Sequence, residues 1–73
     1  YLDPKSRFQE IAQEKLTITP NYRVLEESGP DHDKRFKVGV YLNDDLVSVG
    51  EGSSKQDAQV DAAEHALQEK KWE

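Results

Sequence analysis

No cysteine occurs in this 73-residue chain, which excludes disulfides and thiolate metal sites as staples. A domain of this size is near the lower limit for folding on a hydrophobic core alone, so one compact core must hold it together. No apolar run approaches the roughly 20 residues needed to span a bilayer. The opening Tyr1-Leu2-Asp3-Pro4 lacks the basic-then-apolar pattern of a secretory signal. No membrane contact is therefore expected, and a cytoplasmic location is. Internal repeats, linkers and low-complexity runs are also missing.

Positive charge is in deficit. The formal net charge is −5, and charged residues make up 34% of the chain, as much as hydrophobic ones. A general basic surface of the kind that binds phosphates is excluded, so any anion-binding patch must be local. Residues 1–20 balance, with Lys5, Arg7 and Lys15 against Asp3, Glu10 and Glu14, whereas 21–52 and 53–73 are both acidic. Such polarity on its own would suit a disordered chain, but the apolar residues recur periodically, which argues for a fold.

The chemistry of an enzyme is likewise absent. There is no nucleophile, base and orienting group in combination and no pair of carboxylates set by a cleft, and Gly50-Glu51-Gly52 is too short for a phosphate-cradling loop. No catalytic residue and no cofactor is expected in the chain. Asp31, His32 and Asp33 crowd three potential metal ligands together, but sequence neighbours rarely converge on one ion, and no metal site is expected there. His65 is expected on a helix surface.

What is present is a clear succession of elements. Asp3 suits a helix N-cap and Pro4 the first helical position. Phe8, Ile11, Ala12 and Leu16 then form one apolar stripe on a helix of about three turns. Thr17-Ile18-Thr19-Pro20 ends it, since two β-branched residues and a proline disfavour continuation. Residues 21–27 form a first strand, with Tyr22 and Val24 on one face and Arg23 and Leu25 on the other. A loop dense in turn formers covers 28–33. In 35–42, Phe36, Val38, Val40 and Leu42 alternate with Arg35, Lys37, Gly39 and Tyr41, which predicts a half-buried strand with one wet face. Asn43-Asp44-Asp45 makes a tight turn into a third strand over 46–50. Ser54, with Asp57 three residues on, fits a capping box opening a second helix. Ala58, Ala62, Ala63, Ala66 and Leu67 form its small-residue core stripe, and the helix frays near Lys70-Lys71-Trp72. Trp72 is expected to pack against the end of the domain or to belong to a partner contact. The fold class is α+β, a two-layer α-β-β-β-α arrangement with two helices covering one face of a three-stranded antiparallel sheet. One domain is expected over 1–73, with its core at about 3–70.

Four segments in this order resemble the double-stranded-RNA-binding domain: DPKSRFQEIAQ at the first helix, YRVLEESGPDHDKRFKVGV across the first hairpin, GEGSSK before the second helix, and AQVDAAEHAL within it. The resemblance runs from Asp3 to about Leu67. The Asp-Pro-Lys-Ser opening is similar to the segment that begins this domain at the C-terminal end of bacterial ribonuclease III. That family's catalytic signature, an acidic helix around a Leu-Gly-Asp stretch, is not found in the chain. The resemblance implies a parent endoribonuclease that cleaves duplex RNA with Mg²⁺ in a separate catalytic domain. It also implies that the parent is a homodimer through that domain and works in RNA processing, ribosomal RNA included.

Duplex RNA is recognised by shape, across two minor grooves and the phosphates between them. The resemblance assigns three contact sites. The first is the polar face of helix 1. There Glu10 would accept from a 2′-hydroxyl and Gln9 and Gln13 would meet base edges, with Ser6 beside them. The second is the loop with Pro30, Asp31 and His32, where His32 and the Pro30 carbonyl would face 2′-hydroxyls. The third is the start of helix 2, with Ser53, Ser54, Lys55, Gln56 and Gln59 near a phosphate. The family usually has three lysines in that stretch and this chain keeps only Lys55, while Asp57 and Asp61 add negative charge. Lys34, Arg35 and Lys37 form the densest basic cluster and are assigned to solubility or partner contacts. Two other readings stay open. The polar residues can be ordinary surface positions, or the fold can serve protein contacts or dimerisation, which the charge favours and Glu10 and the Gly-Pro-Asp-His loop oppose.

Overall fold

The computed structural model describes residues 3–72; Tyr1, Leu2 and Glu73, part of the expected domain span, lie outside the described residues. The elements follow the expected order: α1 (Pro4–Leu16), β1 (Asn21–Ser28), β2 (Arg35–Leu42), β3 (Asp45–Gly52) and α2 (Lys55–Lys70). The sheet is antiparallel in the order β1-β2-β3, and both helices lie on its one buried face.

Helix α1 begins where its caps require. The Asp3 carboxylate accepts the Ser6 backbone N–H at 2.8 Å, and Pro4 occupies the first turn, where no N–H is needed. The helix ends at Thr17, whose φ of 58° turns the chain left-handed while its N–H returns to the Gln13 carbonyl at 3.0 Å. Phe8 and Ala12 are fully buried and Ile11 is half-buried, but Leu16 is 44% exposed, because the helix overhangs the core there.

Strand β2 is the central strand, and its inward residues Val38, Val40 and Leu42 are buried as the alternation requires. Two features differ from the sequence expectation. Strand β3 is longer at both ends than 46–50: only Asn43 (φ 57°) and Asp44 make the turn, and Asp45 already pairs with Leu42. The outer face is also not uniformly wet. Gly39 is buried there because Leu25, Tyr41 and Leu46 close over it. Leu25 reaches this position through a bulge between Val24 and Glu26, which leaves Val24 41% exposed at the edge.

Helix α2 lies across β3 and β2 with α1 against its flank. Ala58, Ala62, Ala63, Ala66 and Leu67 are all buried. The alanines permit a close approach, closest at Gly50, and Ser48 Oγ donates to the Ala62 carbonyl at 2.7 Å. The helix closes with Lys71 left-handed (φ 59°), its N–H bound to Gln68 O and that of Trp72 to Leu67 O. This closure turns Trp72 back onto Phe8, with ring centroids 5.4 Å apart.

Candidate nucleic-acid interface

The helix period brings Ser6, Gln9, Glu10 and Gln13 to one side of α1, opposite the Phe8–Ala12 stripe. Together with Glu14 they border a shallow open depression. Gln9, Glu10 and Gln13 are exposed and Ser6 is half-buried. The Gln13 side-chain oxygen accepts from Thr19 Oγ1 at 3.3 Å, which orients the amide, whereas Glu10 enters no ion pair with another described residue.

The β1–β2 loop is stiffened from within. Gly29 has φ 88°, and a β-carbon there would run into the Asp33 carbonyl, so the turn requires glycine. The Asp33 N–H bonds to Pro30 O at 2.9 Å, closing a β-turn over Asp31 and His32. Asp31 and His32 stand exposed at its tip. The Pro30 carbonyl, expected to face a ligand, already holds this turn and has one lone pair left. Among the described residues, no three His, Cys, Asp or Glu side chains stand together as an ion site.

At the start of α2, Ser54 is the N-cap: its Oγ accepts the Asp57 N–H at 3.0 Å. Asp57 does not complete the expected reciprocal capping box with the Ser54 N–H; its carboxylate instead accepts from Ser53 Oγ at 3.3 Å. The Ser54 hydroxyl oxygen thus serves the cap, while the Ser53 hydroxyl is bound to the Asp57 side chain. The N–H groups of Lys55 and Gln56 remain as outward donors of the first turn, beside the exposed Lys55 ammonium.

Helical spacing also sorts the charges. Asp57, Asp61 and His65 recur every four residues and turn toward the β3 edge. There Asp61 accepts the Glu51 N–H at 2.9 Å and His65 Nδ1 lies 2.7 Å from Val49 O. Lys55 and Gln59 share a different stripe, toward α1. The Gln59 side-chain oxygen accepts from Lys5 Nζ at 2.6 Å, a link between two elements far apart in sequence. The repulsion expected from Asp61 is thus directed to the sheet edge. Lys5 was not among the expected site residues. Its only sequence signal is its place four residues before Gln9, on the same side of α1.

The basic cluster of β2 lies elsewhere. Arg35 and Lys37 are on the outer sheet face, and Lys34 pairs with Glu27 at 3.3 Å. On the same face the Arg23 guanidinium lies 4.2 Å from the Tyr41 ring centroid.

The model of the double-stranded RNA binding motif matches residues 4–70, a span that takes in all five elements. The chain belongs to the double-stranded-RNA-binding-domain family. It is 48% identical over 67 residues to Ribonuclease 3 of Borreliella afzelii, which covers 92% of this chain and 27% of that protein. It is 44% identical over 66 residues to Ribonuclease 3 of Enterococcus faecalis, covering 90% and 29%. The chain thus spans under a third of these relatives and is homologous to their double-stranded-RNA-binding region. Among solved structures, a chain described as Arabidopsis HYL1, in a study of miRNA processing, superposes with a TM-score of 0.79 at 34% identity, covering 93% of this chain and 96% of that one. The double-stranded-RNA-binding domain thus takes in all five elements of the fold. Among the described residues no helix is long and apolar enough to cross a membrane.

Proposed function

We propose that this domain binds duplex RNA by shape, as the substrate-binding module of a ribonuclease III-type endoribonuclease. The polar side of α1 enters one minor groove, with Glu10 accepting from a 2′-hydroxyl and Gln9 and Gln13 at base edges. The Asp31–His32 turn enters the next minor groove, and the first turn of α2 meets the phosphates between them. The observation that carries this reading is the match to the double-stranded RNA binding motif over residues 4–70, and the Lys5–Gln59 hydrogen bond, which ties α1 to α2, supports it. The chain direction supports it too, since the β1–β2 loop and the start of α2 lie at the same end of the sheet.

The relatives named Ribonuclease 3 support the nuclease setting. In that setting the Mg²⁺-dependent cleavage and the homodimer contact belong to a catalytic domain outside this chain, and the enzyme works in the cytoplasm.

A titration with a duplex RNA of about 20 base pairs tests the binding, since such a domain spans about 16. Matched duplex DNA and single-stranded RNA serve as controls, each at two salt concentrations. Preference for duplex RNA, weakening with salt, is the expected result. Absence of duplex RNA binding at low salt would overturn it. A second reading, protein contact, would then apply, and the apolar cover of Leu25, Tyr41 and Leu46 over Gly39 favours it.

A further inference from the structure

The start of α2 is short of cations for a phosphate site, since Lys55 is its single lysine before Lys70 and position 59 is a neutral glutamine. The structure supplies a second cation from another element. Lys5, in the first turn of α1, extends its ammonium across to α2, where it donates to Gln59 Oε1 at 2.6 Å. Its Nζ also lies 5.3 Å from the Tyr22 ring centroid, so an aromatic face and an amide oxygen bracket the side chain. Lys5 and Gln59 are both half-buried.

The chemistry of this pair is specific. An ammonium has three N–H donors, and Gln59 takes one. With its oxygen occupied by Lys5, Gln59 has its amide N–H₂ to present. Gln59 lies one turn after Lys55 on the same stripe, while Asp57 and Asp61 are directed to the other side of the helix. The side chain is already held in place, so little rotamer freedom remains to be lost when an anion arrives.

We propose that Lys5 and Gln59 form one phosphate-binding unit spanning α1 and α2, with Lys5 providing the charge that position 59 lacks. The unit takes a backbone phosphate of the duplex RNA next to the phosphate held at Lys55, so it rests on the reading above. The net charge of −5 then coexists with two cations at this unit, Lys55 on α2 and Lys5 reaching Gln59 from α1.

The test compares the 73-residue chain with K5Q, Q59K and the K5Q/Q59K double variant, titrated with the same duplex RNA over a series of salt concentrations. Loss of one phosphate contact should weaken K5Q about tenfold and lower the steepness of the log–log salt dependence by about one. K5Q/Q59K, with the charge returned from α2, should recover both. Thermal melts show whether K5Q is folded. If K5Q matches the parent chain in affinity and salt dependence while the parent binds duplex RNA, the Lys5 assignment fails and the binding function stands. A loss in K5Q with unchanged salt dependence, not rescued by Q59K, makes Lys5 a purely structural residue and overturns the proposal. If the parent chain does not bind duplex RNA, both fall together.

Discussion

Gly50 of β3 passes directly beneath the backbone of Ala62 in α2, so close that a β-carbon at position 50 would collide with Ala62 N and Cα and with Ala58 O. Helix and strand can approach this far because small residues line both sides of the contact. The obstruction is the α2 backbone, which cannot swing away as a side chain can. Gly50→Ala should therefore cost about 3 kcal/mol, at the upper end for overpacking. Urea unfolding followed by Trp72 fluorescence measures it. A midpoint unchanged from the parent chain would mean that α2 can shift without penalty.

Phe8 is fully buried and stacked on Trp72 with an interplanar angle of 30°. Removing the phenyl ring should cost about 3–5 kcal/mol, a large share of what a domain of this size has. Phe8→Ala is expected to be largely unfolded at room temperature. Trp72→Ala removes only the half-buried outer ring and should cost less. Circular dichroism melts of the two variants establish the order.

The Tyr22 hydroxyl is buried with no hydrogen-bond partner among the described residues, and burial, aided by the nearby Asp3 carboxylate, pushes its pKa from 10.0 to about 12. The neutral phenol is thus favoured in the folded state. Between pH 10 and about 12 the unfolded chain has lost this proton and the folded one has kept it, so stability falls as pH rises through that window. Below pH 10 both states are protonated and the effect vanishes. Tyr22→Phe should flatten the alkaline decline and leave neutral-pH stability unchanged or raised, since it removes an unsatisfied buried group. Unfolding midpoints from pH 8 to 12 compare the two chains, and an equally steep decline in Tyr22→Phe would place the cause elsewhere.

Lys55 is exposed at the first position of α2 and makes no packing contact with the core. Lys55→Ala should weaken duplex RNA binding about tenfold, as for one charge-assisted contact, with little change in melting temperature. Binding equal to that of the parent chain would remove the start of α2 from the interface.

Glu10 faces the proposed minor-groove contact, and a 2′-hydroxyl exists only on RNA. Glu10→Ala should narrow the preference for duplex RNA over duplex DNA, largely through weaker RNA binding. Parallel titrations with both duplexes decide it, and undiminished discrimination would exclude Glu10.

Much of this architecture was legible along the chain because it rests on local rules. The Asp3-Pro4 and Ser54 helix starts are capping chemistry, which needs only neighbours a few residues away. The alternation in β2 and the alanine stripe of α2 are periodicities that one buried face imposes on its own element. The polar stripe of α1 and the turn at Asp31–His32 were named as binding positions only through the resemblance to the double-stranded-RNA-binding domain. Boundaries were less legible where pairing decides them. Strand β3 reaches Asp45 and Gly52 because β2 continues to offer partners there, and the Leu25 bulge is a matter of register between two strands.

Sequence alone therefore determined the element order, the core and the polar positions available for binding. Tertiary structure decided where the charges face and which residues meet. Asp61 is an acid beside the proposed phosphate site when read along the chain, but the packing of α2 on β3 turns it to the strand edge and onto the Glu51 N–H. Lys5 and Gln59 are 54 positions apart, and no local rule relates them. They meet because α1 and α2 both bury their apolar stripes in the same core, which fixes the two helices side by side and brings one lysine to the other helix.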